Sequence, residues 1–189
     1  YNLFKKINTK DLTQIAISTT LLAIASLVII PIGFVPITLQ VVLFLLIPAI
    51  LGPVKGIMAI GIYMLAGLLG FPVFAGGAGG IGQLLSPSFG YILGAIPVGL
   101  FIGKGINKMT TKIQNGLIML VGVFILYAIG IAYQYGLLNI VLDTPVKLGA
   151  ILTTNLTVFL PIDTLKVLVS VLIYERLKKL SFYKRINRY

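Results

Sequence analysis

A chain of 189 residues that is 58% hydrophobic and 10% charged, with a mean hydropathy of +1.08, is not a soluble domain. It has no Cys and no His, which excludes structural disulfides, thiol chemistry and His- or Cys-liganded metal sites. A net charge of +11 would point to nucleic acid in a soluble protein, but here the basic residues fall between long apolar runs.

Those runs are Leu12–Val54, Gly56–Gly103 and Ile113–Leu142, and none contains a charge. Each exceeds the roughly 20 residues that a spanning helix needs. The composition therefore predicts an all-α, polytopic membrane protein of one domain, residues 1–189, since no polar segment is long enough to fold alone. Lys5, Lys6 and Lys10 precede the first run, Lys55 separates two helices, and Lys104, Lys108 and Lys112 separate two more. Six Lys/Arg follow Glu175. The alternate loops, Ile32–Thr38, Phe71–Pro87 and Leu137–Lys147, hold one Lys and one Asp between them. This asymmetry predicts an even number of spans and cytoplasmic termini, with short tails at 1–10 and 178–189.

Taken in order, Leu12–Pro31 reads as the first helix. Ala23-Ile24-Ala25 mimics a signal cleavage site, but apolarity continues to Ile32, so a retained helix is expected. Ala16, Thr20 and Ala23 are small residues at a spacing that lets another helix approach closely, whether inside the bundle or from a partner. Gly33–Ile37 forms an outside turn. Thr38-Leu39-Gln40 opens the second helix, which runs to Gly52 through Pro48, and either residue can cap it. The third helix spans Lys55–Leu69. Phe71–Pro87 is apolar but carries five glycines between Gly76 and Gly82, so it is no regular helix. Such backbone is tolerated near a membrane where it packs on protein or lines a cavity. Gly77, Gly79, Gly80 and Gln83 are its candidate ligand contacts. Ser88–Gly103 is the fourth helix, and its Tyr91 lines a pocket or joins the aromatic belt. Gly116–Tyr135 is the fifth, with Tyr127 and Tyr133 as packing or belt residues. Pro145–Phe159 reads as a short amphipathic helix carrying Asn155, and Pro161–Leu177 as the last span. The basic, aromatic tail from Lys178 suits the cytoplasmic lipid headgroup layer.

Pro161-Ile162-Asp163-Thr164-Leu165-Lys166 places an acid and a base three residues apart inside a membrane helix. Residues at i and i+3 share a helix face, and an ionisable group at membrane depth is by default a functional hypothesis with a partner to name. Each can be the other's partner, with a polar ligand between them. The plainer reading makes Asp163 a first-turn acid favoured by the helix dipole and lets Lys166 snorkel to the interface. Asn155, Phe159 and Asp163 would share a face if the helix ran through Pro161.

Together these segments resemble the BioY family, the biotin-specific S components of energy-coupling factor (ECF) vitamin transporters. The resemblance rests on Val35-Pro36-Ile37-Thr38-Leu39-Gln40, Gly67–Gly80, Ser86-Pro87-Ser88-Phe89-Gly90-Tyr91 and Leu160–Lys166, in family order and spacing over residues 10–180. It implies a six-helix S-component fold in the plasma membrane of a bacterial-type cell, with an outward-facing pocket for biotin and no cofactor. It implies partnership with a transmembrane coupling subunit and two cytoplasmic ATPases. Asp163 and Lys166 match the family's ligand-contacting Asp-x-x-Lys motif. The glycine-rich loop and the loop before Gln40 help to cover the pocket, and Asn155, Tyr91, Gln40, Gln83 and the loop glycines complete the candidate set. The chain departs from the family at Ile162, where Gly is frequent. It departs also at Ala16-x-x-x-Thr20, where S components carry an Ala-x-x-x-Ala pattern for docking the coupling subunit; Ala23 lies one turn further on. The chemistry suits the ligand, because Asp163 can accept from the ureido N–H groups and Lys166 can donate to the ureido C=O or the carboxylate.

Three rival functions compete. An intramembrane enzyme would need a Ser-Lys dyad such as Ser170 with Lys166, because a single acid lies at membrane depth. A stand-alone secondary transporter would show internal repeats and broken helices. An S component for thiamin or riboflavin is the nearest alternative.

Overall fold

The computed structural model describes residues 7–31 and 34–180. Lys5, Lys6, Gly33 and the tail beyond Leu180 lie outside the described residues. Six helices follow one another: α1 (Thr9–Leu27), α2 (Gln40–Leu51), α3 (Pro53–Leu68), α4 (Phe89–Gly105), α5 (Lys112–Gly136) and α6 (Leu148–Lys179). Capping boxes explain two starts earlier than apolarity alone suggests. Asn8 with Asp11 opens α1, and Thr111 with Gln114 opens α5.

The first helix does not reach Pro31. It ends at Leu27, and β1 (Ile29–Ile30) pairs antiparallel with β2 (Ile37–Thr38). Val28-Ile29-Ile30 is a β-branched run ahead of a proline, which disfavours the helical region for the residue before it. A second correction concerns Pro145–Phe159. It is not a separate helix: Leu148–Lys179 is continuous, passing through a π turn at Asn155–Phe159. Leu160 N–H reaches back to Asn155 O across that wider turn, which accommodates Pro161 with its missing donor. Asp163 is therefore not a first-turn acid at a free helix start.

Helix α2 is the centre of the bundle and packs against α1, α3, α4 and α6. Every residue from Phe44 to Ala49 is buried, as expected of a helix that is apolar on all sides. Phe89–Lys108, Lys112–Val141 and Leu148–Lys179 are long and apolar enough to cross a membrane. At 12 and 16 residues α2 and α3 are shorter, so α2 spans only about 18 Å at 1.5 Å per residue. The strand pair before α2 and the glycine-rich segment after α3 take the place of the missing turns.

Two polar ties hold the opposite end. Lys55 at the start of α3 bonds Asp11 (2.9 Å) and Gln14 (3.0 Å) on α1. Asn115 at the start of α5 donates to Glu175 near the end of α6 (2.5 Å). The basic ends of the helices thus share one side of the bundle, and the strand pair and glycine-rich segment lie on the other.

Candidate ligand-binding cavity

A cavity of about 170 Å³ opens where α2 begins. Its walls come from the strand pair (Phe34–Thr38), α2 (Gln40, Val41, Phe44), the glycine-rich segment (Phe74, Ala75, Gln83, Ser86), α4 (Phe89, Tyr91, Ile92), α5 (Leu126, Tyr127) and α6. The α6 contribution is Asn155, Phe159, Asp163 and Lys166, at i, i+4, i+8 and i+11. That spacing lies on one helical face only because α6 continues through Pro161.

Asp163 and Lys166 are 3% and 8% exposed. Lys166 Nζ donates to Asp163 Oδ1 at 2.7 Å, and the Tyr127 hydroxyl donates to Asp163 Oδ2 at 2.7 Å. Lys166 therefore does not snorkel to an interface. A buried acid held by a cation and a phenol has both oxygens engaged, and its further lone pairs remain for a ligand. Beside it, Tyr91 donates to Asn155 Oδ1 (2.8 Å), and its ring stands perpendicular to that of Tyr127, centroids 6.2 Å apart. Asn155 Nδ2 is anchored on Ile151 O at 2.9 Å. Tyr91 belongs to the cavity, not to the aromatic belt.

Gln40 faces inward and caps no helix. Its Nε2 donates to the Tyr63 hydroxyl (2.6 Å), and its Oε1 accepts from Thr38 (2.9 Å). Gln83, Ser86 and Ser88 also line the cavity, with the two serine hydroxyls 2.8 Å apart. Six of the polar residues singled out in the sequence thus line one cavity: Asp163, Lys166, Asn155, Tyr91, Gln40 and Gln83.

Gly77, Gly79 and Gly80 do not line it. Their part is to shape the segment. Gly76, Gly77 and Gly80 take φ of 71°, 79° and 94°, conformations that side chains strain, and Gly80 N–H bonds Gly67 O at 2.7 Å. Gly67 itself must lack a side chain, because a Cβ there would run into the ring of Phe74. Phe74, 2% exposed, plugs the segment into the core. The segment is further pinned by the Tyr133 hydroxyl, which donates to Leu84 O. Sequence reasoning gave Tyr127 and Tyr133 no functional part, and neither has a local signal: their partners lie 36 and 49 residues away.

The geometry removes the dyad of an intramembrane hydrolase. The Ser170 hydroxyl donates to Lys166 O (2.7 Å), while Lys166 Nζ is taken by Asp163. Among the described residues no three His, Cys, Asp or Glu are grouped to hold a metal. On α1, Ala16 and Thr20 are exposed and Ala23 is half-buried, so this small-residue strip is not inside the bundle.

Fold and cavity together define a class: a helical membrane protein with a polar-lined cavity among its helices. The BioY family model matches residues 3–182. The chain is 32% identical over 179 residues to the probable biotin transporter BioY of Lysinibacillus sphaericus, covering 94% of this chain and 91% of that one. It is 34% identical over 176 residues to the biotin transporter BioY of Thermotoga maritima, covering 91% and 98%. Its fold matches the crystal structure of the S-component for biotin from an ECF-type ABC transporter with a TM-score of 0.81 and 31% identity, over 95% and 96% of the two chains. The chain belongs to the BioY family.

Proposed function

We propose that this chain is the biotin-binding S component of an ECF transporter, which captures biotin in the cavity described above and carries out no chemistry of its own. The observation that carries this reading is the convergence of Asp163, Lys166, Asn155, Tyr91, Gln40 and Gln83 from distant parts of the sequence onto one cavity. The Asp163–Lys166 pair has no net charge, so a ligand carboxylate beside it would be desolvated without a spare cation. A ureido ring, neutral with two donors and one acceptor, suits Asp163, Asn155 and Lys166 better. The valerate then points past Phe44, Phe74 and Phe89 to Ser86, Ser88 and Gln83. Gly77, Gly79 and Gly80 act through the shape of the wall.

The cavity faces the outside of the plasma membrane and the basic helix ends face the cytoplasm, as the Lys/Arg asymmetry supports. No Gly-x-x-x-x-Gly-Lys-Ser/Thr segment occurs in the chain, so it offers no phosphate cradle. The energy for release comes from two cytoplasmic ATPases acting through a transmembrane coupling subunit, docked on the α1 strip of exposed Ala16 and Thr20 and half-buried Ala23. Calorimetric titration of biotin, thiamin and riboflavin into the detergent-purified chain tests the ligand assignment. Saturable one-site binding of biotin alone is expected. Binding of thiamin or riboflavin in its place would reassign the pocket.

A further inference from the structure

The cavity has two walls that the ligand-facing residues do not themselves fix: Gln40 at the start of α2, and Phe74–Ala75 in the glycine-rich segment. Each wall leads back to a buried hydroxyl residue. Tyr63 on α3 and Ser26 on α1 are each 0% exposed, and neither lines the cavity.

The Tyr63 oxygen accepts from Gln40 Nε2 at 2.6 Å, and its ring stands edge-on to Phe74, centroids 5.5 Å apart at 81°. Ser26 Oγ lies 2.6 Å from Val73 O and 2.6 Å from Ala23 O. A hydroxyl has one proton to give, so counting donors orients the chain. Thr38 donates to Gln40 Oε1 and Gln40 Nε2 to Tyr63, while Ser26 donates to Val73 O or to Ala23 O of its own helix. Each of these side chains is no more than 9% exposed, and they come from four different elements. The first chain starts on cavity-lining Thr38 and Gln40, and the Ser26 bond ends on the backbone beside cavity-lining Phe74.

We infer that Tyr63 and Ser26 are positioning residues for ligand binding: Tyr63 sets the amide of Gln40 and backs the Phe74 ring, and Ser26 clamps the glycine-rich wall to α1. Buried polar chains of this kind are costly when one link is removed, because the remaining groups find no water. Packing alone would not require both buried hydroxyls to bond groups at or beside the cavity wall. The inference rests in part on the biotin reading, and its test has one arm that does not.

The first arm is a double-mutant cycle read by biotin calorimetry. Tyr63→Phe keeps the ring against Phe74 and removes only the hydroxyl. Loss of a single hydrogen bond to a ligand-contacting amide should weaken biotin about ten-fold. In a Gln40→Leu background the same change should have no further effect, because Tyr63 acts through Gln40. Wild-type affinity in Tyr63→Phe, or losses that multiply in the double variant, would overturn the assignment of Tyr63. The second arm uses no ligand. Amide hydrogen exchange over residues 71–80 of the full chain should accelerate by about ten-fold or more in Ser26→Ala, as a local opening loses its clamp. Unchanged exchange would overturn the assignment of Ser26. If the wild-type chain failed to bind biotin, the functional reading would fall while the exchange arm still decided the positioning one.

Discussion

Asp163 is held by two groups that answer different needs. Lys166 balances its charge at 2.7 Å, and Tyr127 fixes its second oxygen from another helix at the same distance. Hydrogen bonds to charged groups contribute about 1.5–3 kcal/mol each, and every 1.4 kcal/mol is about ten-fold in affinity. Asp163→Asn and Lys166→Met should each weaken biotin roughly ten- to 150-fold on that scale, measured by calorimetry. Because the pair is buried, either single change also strands a charge, at a typical cost of about 3–5 kcal/mol. Both single variants should therefore melt lower than wild type. The double variant, with no charge left to strand, should regain most of that stability and still bind poorly. If it instead bound like wild type, the pair would be structural only. This cost was not legible in the sequence, where neither residue fills an apolar core. It needs the burial and the contact, which only the fold supplies. Asp163 and Lys166 themselves were legible, since i, i+3 spacing is local. Tyr127 was not, since one tyrosine in an apolar helix looks like any other until its partner across the bundle is known.

At the scale of elements, the two misread segments have opposite lessons. The strand pair had a local signal in Val28-Ile29-Ile30-Pro31, outweighed by unbroken apolarity. The run of α6 through Pro161 had none, because a π turn is an adjustment to tertiary packing. Were α6 broken at Pro161, Asn155 and Phe159 would no longer be held on the face that carries Asp163. The glycine-rich segment was legible as irregular backbone at a cavity, but its glycines act on shape and leave the lining of the cavity to Phe74, Ala75, Gln83 and Ser86. Gly67→Ala tests how firmly that wall is seated. A methyl group there has to displace the ring of Phe74, and overpacking of this kind costs about 1–3 kcal/mol. The variant should melt lower and bind biotin more weakly, since the displaced ring is itself cavity wall. A wild-type melting temperature together with wild-type affinity would mean that the ring repacks freely.

For the whole molecule, the basic end and the membrane class could be read from charge spacing and apolar run length, because both reflect the bilayer more than the fold, while the count of six helices came from the family resemblance. Which helices are short, and that a cavity replaces their missing turns, could not. On the outside of α1, Ala16 and Thr20 remain uncovered by the bundle. Thr20→Trp should leave biotin binding by the isolated chain unchanged and abolish copurification with a coupling subunit. Intact assembly would place the docking surface elsewhere.

A cavity that is reached from outside and holds biotin can be tested at one position in its lining. Ser88 lines the cavity, and the chain has no native Cys, so Ser88→Cys reports on the cavity alone. The measurement is the rate of its modification by a membrane-impermeant thiol reagent in intact cells, with and without biotin. At biotin ten times its dissociation constant, mass action leaves about one site in eleven free, so labelling should slow about ten-fold. Labelling that biotin does not slow, or that begins only after the cells are permeabilised, would contradict the account.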